Sequence, residues 1–276
     1  MLNVTLKTTW RAGAAAAGAA AVVFGIWLWW APGFNRLVSQ PPARSRLMDL
    51  RQQEAKRRHR PLRIHYQWVP LSRIAPALRQ AVLVAEDDMF YLHDGLDWEE
   101  IRAVWKETLQ RGRFRRGAST ITQQTAKNLF LSPKKSPFRK LKEAMLAKRM
   151  EKRLGKRRIL ELYLNIAEWG HGVFGAEAAA RHYFQKSAAD LSWEEAVALA
   201  AVLPSPLRHS PLAPDRFTEF RKTWINHRLL EKGILPPSPI VAVTALLPLT
   251  STAQAGTEIP EAGGDTQAGT GAPLLP

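Results

Sequence analysis

Residues 72–95 read SRIAPALRQAVLVAEDDMFYLHDG, an apolar segment that runs into carboxylates. Ile74, Leu78, Val82 and Ala85 recur at helical spacing on one stripe, and Ser72 stands where a capping residue starts such a helix. The stripe delivers Glu86 at its C-terminal end, beside Asp87 and Asp88. Desolvation against the helix and like charge from the aspartates both raise a carboxyl pKa, which favours proton acceptance near neutral pH. An acidic last turn that simply faces water is the plainer account of the same residues.

A second glutamate, Glu143, has the opposite setting in Arg139-Lys140-Leu141-Lys142-Glu143. Between the two runs Gly117-Ala118-Ser119-Thr120-Ile121-Thr122-Gln123-Gln124-Thr125-Ala126-Lys127-Asn128, rich in hydroxyls and amides. Ser119-Thr120 after Gly117 can present hydroxyls and free backbone N–H groups to a phosphate, or can serve as an ordinary helix cap. Lys127, Arg139 and Lys140 add cations. Arg139 is four residues from Glu143, a spacing that by itself makes only a helix-surface ion pair. Two carboxylates in contrasting surroundings suit sugar chemistry, where one group takes a proton while cations hold an anionic leaving group.

Helices are expected through most of the body. Asp97-Trp98-Glu99-Glu100 has capping-box form and starts a helix that Gly112 stops. Ser119 or Thr120 opens the next helix, which reaches Phe130. Residues 138–154 read as a basic helix with Leu141 and Met145 on a buried face and Gly155 as its end. Residues 159–166 are apolar nearly all round and predict a central core helix. Ser192-Trp193-Glu194-Glu195 is a further capping box, and Pro204 stops its helix. Residues 63–69 predict a short strand.

The formal charge of +16 is local. Residues 102–158 hold 19 lysines and arginines against 3 acids, so the rest of the chain is neutral. Such a basic block attracts nucleic acid, anionic lipid or a phosphorylated substrate, or is only a solvated helix face. With 0 cysteines, disulfides, thiolate catalysis and Cys-based zinc are excluded. No His-x-x-x-His spacing points to a transition-metal site.

Residues 12–35 carry no charge and end in Trp27, Trp29 and Trp30. As a helix they would span about 36 Å, against roughly 30 Å for a bilayer core, with the tryptophans at the interface. A cleaved signal peptide has a shorter apolar region and a small-residue exit, so a retained transmembrane helix is the expectation. The chain then divides into a short N-terminus (1–11), the span (12–35), an Arg- and Pro-rich connector (36–59), a catalytic domain (60–232) and a Pro/Ala/Gly-rich tail (233–276) expected to be disordered.

Five motifs follow one another: Glu86-Asp87-x-x-Phe90-x-x-His93-x-Gly95; Gly117-x-Ser119-Thr120-x-x-Gln123-Gln124-x-x-Lys127-Asn128; Arg139-Lys140-x-x-Glu143; Arg158-Ile159-Leu160-Glu161-x-Tyr163-Leu164-Asn165; and Gly172-Val173-Phe174-Gly175-Ala176-Glu177-Ala178-Ala179-Ala180-x-x-Tyr183-Phe184. In this order they strongly resemble the glycosyltransferase domain of bacterial peptidoglycan polymerases. That domain forms family 51 of the glycosyltransferases and is shared with class A penicillin-binding proteins. The resemblance covers about residues 60–215. Ser132-Pro133-Lys134-Lys135 matches a transpeptidase Ser-x-x-Lys pattern, but no Lys-Thr-Gly follows, so the chain looks like a monofunctional biosynthetic transglycosylase.

The resemblance implies a mainly α, lysozyme-like fold in two lobes around a cleft. Its substrate would be lipid II, polymerised into β-1,4 glycan strands with release of polyprenyl pyrophosphate. Glu86 would be the general base toward the acceptor 4-hydroxyl. Glu143, with Lys127, Arg139 and Lys140, would lie by the departing pyrophosphate. Asp87, Phe90, His93, Gly117, Ser119, Thr120, Gln123, Gln124 and Asn128 would complete the substrate site. No cofactor is required; a divalent cation, Mg or Mn, is compatible with the chemistry, although no ligand cage is visible. Lipid II is used outside the cytoplasmic membrane, which implies a single-pass protein of that membrane with a cytoplasmic N-terminus. Other cell-wall synthesis proteins are natural partners, and nucleic acid is not. Two rivals remain: a lytic transglycosylase, which has no need of cations beside a second glutamate, and a membrane-tethered anion binder, which has no need of the ordered motifs.

Overall fold

The computed structural model describes residues 2–235 apart from 32, 112–118, 133–135 and 214, with side-chain detail from residue 15 onward except at 28 and 111. Gly112, Gly117 and nearly all of the expected tail lie outside the described residues. The fold is mainly helical. Nine α-helices are described: α1 (Leu2–Trp29), α2 (Arg46–Arg57), α3 (Pro76–Glu86), α4 (Trp98–Arg111), α5 (Ile121–Phe130), α6 (Pro137–Ile166), α7 (Ala176–Phe184), α8 (Trp193–Val202) and α9 (Arg216–Glu231). Three short strands, β1 (His65–Tyr66), β2 (Glu168–Gly170) and β3 (Val173–Phe174), form a sheet in the order β1-β3-β2. β1 runs parallel to β3, with His65 opposite Val173, and β2 is antiparallel to β3.

The second half of α6 is the centre of the molecule. Ile159, Leu160, Leu162, Tyr163, Leu164 and Ile166 are all at most 2% exposed. α5 packs along α6, while α3 packs against α8 and α9. Burying a side chain of this size contributes about 1.5–3 kcal/mol, which is how an all-round apolar segment finds its place in the interior. Asn165, fully buried on α6, accepts from Val69 N–H and donates to Val69 O, both at 2.9 Å. Glu161 accepts from Leu71 N–H. These two residues fix the segment that leads into α3 and therefore where Glu86 emerges. The chain then turns at Gly175, whose φ is 85°; a Cβ there would meet the Asn165 carbonyl at 2.4 Å, so only glycine fits.

Several elements differ from the sequence expectation. α3 begins at Pro76 with Ala75 as its cap, because Pro at the first helical position supplies its own pre-set φ; Ser72 sits in a preceding 3-10 turn, Leu71–Arg73. Ile74, Leu78 and Val82 are buried as the stripe predicts. Gly155 does end the basic helix, as the sequence expects: its φ of 71° and ψ of 162° are non-helical, and α6 is two helical segments that meet across this kink. In the first half of α6, Leu141 is 47% exposed and Met145 only partly buried, while Lys142, Glu143, Leu146 and Met150 face inward. The ion pairs of Glu143 rotate that helix so that charge, not Leu141, meets the interior.

The Arg- and Pro-rich connector contains α2, started by a capping box in which Ser45 accepts from Met48 N–H and the Met48 sulfur accepts from Ser45 N–H. At the other end of the chain, α1 stops at Trp29, and a 3-10 turn follows at Phe34–Val38. The expected span to Asn35 is therefore interrupted. Phe34 and Leu37 are buried in the body, where Phe34 stacks on Phe130 and lies 4.1 Å below the Arg149 guanidinium. Arg149 also donates to the Trp29 carbonyl, and Lys142 sits over Trp27, so the end of α1 rests on α6. Among the described residues no helix is long and apolar enough to cross a membrane.

Candidate active site

Glu86 is the last residue of α3, with a side chain only 11% exposed. Gln124, on the first turn of α5, donates from Nε2 to Glu86 Oε2 at 3.0 Å. Buried Tyr163 donates to Gln124 Oε1 at 3.3 Å, which turns the amide so that its NH2 faces Glu86. Arg221 of α9 approaches the other oxygen, Oε1, at 3.3 Å. Burial raises the Glu86 pKa; the Gln124 hydrogen bond, Arg221 and Lys127 oppose that rise, and Asp87 adds to it. The result is a desolvated carboxylate held by donors, suited to accept a proton.

Asp87 works behind Glu86. It is 8% exposed and accepts from His93 Nε2 at 2.9 Å and from Ile121 N–H at 2.8 Å. His93 Nδ1 accepts from Gly95 N–H, so the ring proton must sit on Nε2 and point at Asp87. This ties the loop after α3 to the start of α5. Phe90, 1% exposed, lies in the core beneath Lys156.

The start of α5 is a cap and not an open anion nest. Thr120 accepts from Gln123 N–H, donates to Gly95 O at 2.8 Å, and receives the Gln123 side chain on its own N–H. With Ile121 N–H given to Asp87, the N–H groups of positions 121 and 123 are consumed. Thr120 and Gln123 are at most 3% exposed. They hold the site together from within.

Glu143 lies on α6 at 2% exposure and accepts from Arg139 Nη1 at 2.8 Å and from Lys140 Nζ. Lys140 also donates to Ser119 Oγ at 2.9 Å. Glu86 and Glu143 are thus joined through Gln124, the Ser119 backbone carbonyl, Ser119 Oγ and Lys140. Between them sits Lys127. Burial lowers its pKa, with Lys140 and Arg139 acting the same way and Glu143 and Glu86 opposing. Among the described residues its ammonium has no hydrogen-bond or ion-pair partner, and the buried Arg139 Nε has none either. These two unspent donors border a cleft of about 360 Å³ that Gln124, Asn128 and Tyr163 also line. Donors aimed at one space are what an anionic leaving group requires.

Of the residues expected at the site, Gln124, Lys127, Asn128 and Arg139 line this cleft. Glu86, Ser119, Lys140 and Glu143 are tied to it by the hydrogen bonds just described, whereas Asp87, Phe90, His93, Thr120 and Gln123 are packed behind them. Gly117 lies outside the described residues. A divalent ion does not fit at Glu143, since both its oxygens are taken by cations. Among the described residues no group of three or more His, Asp or Glu is placed to hold a metal. Nothing local in the sequence marks Arg221, a basic residue on a charged helix 135 residues from Glu86.

Residues 53–229 match the family described as Transglycosylase. The chain is 44% identical to the biosynthetic peptidoglycan transglycosylase of Laribacter hongkongensis, over 71% of this chain and 85% of that protein. It is 46% identical to the protein of the same name from Aromatoleum aromaticum, over 68% of this chain and 78% of that one. The corresponding protein of Bordetella pertussis is 48% identical, covering 67% and 78% of the two chains.

Proposed function

The chain belongs to the transglycosylase family, and from that premise we propose that it is a peptidoglycan glycosyltransferase that polymerises lipid II into β-1,4 glycan strands. The observation that carries this reading is a desolvated, donor-held Glu86 bonded to Gln124, which lines one cleft together with the cations Lys127 and Arg139. The relatives' shared name, biosynthetic peptidoglycan transglycosylase, points the same way and does not favour a glycan-cleaving enzyme. A passive anion binder would not need a buried carboxylate between Gln124 and Arg221.

The chemistry follows from the charges. The acceptor 4-hydroxyl oxygen bonds to the donor anomeric carbon as the bond from that carbon to the pyrophosphate oxygen breaks. The hydroxyl proton goes to Glu86, and the bonding pair leaves with the polyprenyl pyrophosphate. Lys127 and the free Arg139 Nε meet the growing charge, and such preorganised donors lower the barrier because they need not reorient during reaction. Glu143 acts indirectly. As a buried anion it would repel the leaving group, so its part is to fix Arg139 and Lys140.

The lysozyme-like division into two lobes is supported by the cleft between α5 and the neighbouring elements. Attachment to the cytoplasmic membrane through α1, N-terminus inside, belongs to the same reading. It is supported by the uncharged run and by the exposed Val22, Val23, Ile26 and Trp30, each more than half exposed. Residues 15–29 alone give roughly 22 Å of helix, so the span needs the residues before them. Incubating the purified chain with labelled lipid II, and separately with finished glycan, tests the function. New polymer supports it, and breakdown of finished glycan without polymer would reverse it.

A further inference from the structure

Helix α2 is anchored as firmly as the catalytic helices, although its first half, residues 46–52, precedes the stretch that matches the family. Met48 is fully buried, and the Arg51 guanidinium grips buried Glu168 of β2 through two bonds, Nε to Oε1 at 2.9 Å and Nη2 to Oε2 at 2.8 Å. Leu47, Leu50, Arg51 and Glu54 share one helical face. Leu47, Leu50 and Arg51 line the same cleft as Lys127 and Arg139. That cleft therefore has two kinds of lining. Unspent donors stand on α5 and α6, and the apolar side chains of Leu47 and Leu50 on α2 line the same space, with Leu131, Leu203 and Pro206 adding to its apolar lining.

A sugar offers hydroxyls and asks for hydrogen-bond partners, which aliphatic side chains do not supply. A prenyl chain asks only for apolar surface. A ligand whose anionic group is bonded directly to an apolar chain matches both at once. We propose that α2 is a lipid-reading wall: Leu47 and Leu50 pack on the prenyl units adjoining the pyrophosphate that Lys127 and Arg139 receive. The inference rests on the polymerase reading above and deepens it, because it assigns recognition of the carrier lipid to Leu47 and Leu50, which precede the matched family stretch. Arg51 and Glu168 act as its hinge pin and hold the wall at a fixed distance from the cations.

The test uses the full chain in detergent, with lipid II polymerisation as readout and two competing inhibitors, inorganic pyrophosphate and geranyl pyrophosphate. In the parent, geranyl pyrophosphate inhibits at lower concentration than inorganic pyrophosphate. In Leu47→Asn/Leu50→Asn that advantage shrinks by about tenfold, as expected for lost apolar contact with two leucines, while inhibition by inorganic pyrophosphate is unchanged. KM for lipid II rises while kcat stays within about threefold, the signature of lost ground-state binding. Leu50→Met restores most of the difference. If the double variant fails to fold, Leu50→Ala is read by the same inhibitor ratio. A parent that polymerises lipid II together with a ratio unmoved by either variant overturns the α2 assignment and leaves the functional reading standing. A parent that makes no polymer overturns both.

Discussion

At the scale of single residues the site is governed by who surrounds Glu86. Burial and Asp87 push its proton affinity up, while Gln124, Arg221 and Lys127 pull it down. A general base works only when ionised, so kcat/KM should rise with pH through the Glu86 pKa. Arg221→Gln removes one cation, and the carboxyl pKa must then move further up. The acid limb of the kcat/KM profile should shift to higher pH, with near-parental rates recovered on the alkaline side. An unmoved limb would mean that Arg221 serves only to pack α9 on α3. Glu86 was legible in the sequence because an apolar stripe ran straight into it. Arg221 was not, because α9 carries basic residues on several faces and nothing local marks which of them reaches Glu86.

At the scale of elements, α5 and α6 hold the cations in place. Lys140 is 47% exposed and shares Glu143 with Arg139, so Lys140→Ala should leave the fold intact. If Lys140 helps the pyrophosphate depart, kcat falls at least about tenfold, or 1.4 kcal/mol of barrier. Full turnover would reduce the pair to a surface ion pair. Gly155 offers a separate test of the bend in α6. A Cβ there meets nothing within 4 Å, so Gly155→Ala suffers only from its φ of 71°. Urea unfolding should show a loss of about 1–3 kcal/mol with the m-value unchanged, because φ 71° with ψ 162° is a region only glycine adopts readily. A loss several times larger would reveal packing that the open space around Gly155 does not predict. The helices with capping boxes at Thr120 and Ser192 could be read from sequence, since hydroxyl and Gln or Glu stand three apart. α2 escaped notice because its box closes on a methionine sulfur and its flanks are full of proline and arginine.

At the scale of the whole molecule the basic block, the motifs and the buried glutamates resolve into one device. The mainly helical class and the order of the site were readable because each motif carries its own local chemistry. The depth of the site was not, because whether Thr120, Gln123 or Phe90 faces substrate or core depends on α6, far along the chain. The N-terminus belongs to this scale too: cell fractionation should find the chain in the membrane with residues 12–30 retained, and a mature N-terminus after Trp30 would contradict an anchor. The central claim is that a single carboxylate drives glycan polymerisation, and Glu86→Gln addresses it most directly. The amide keeps the shape and the neighbours but cannot take the acceptor proton. Glycan formation from labelled lipid II should fall by about 10²–10⁴-fold while the melting temperature and lipid II binding stay near parental. A Glu86→Gln protein that polymerises within a few-fold of the parent would contradict it.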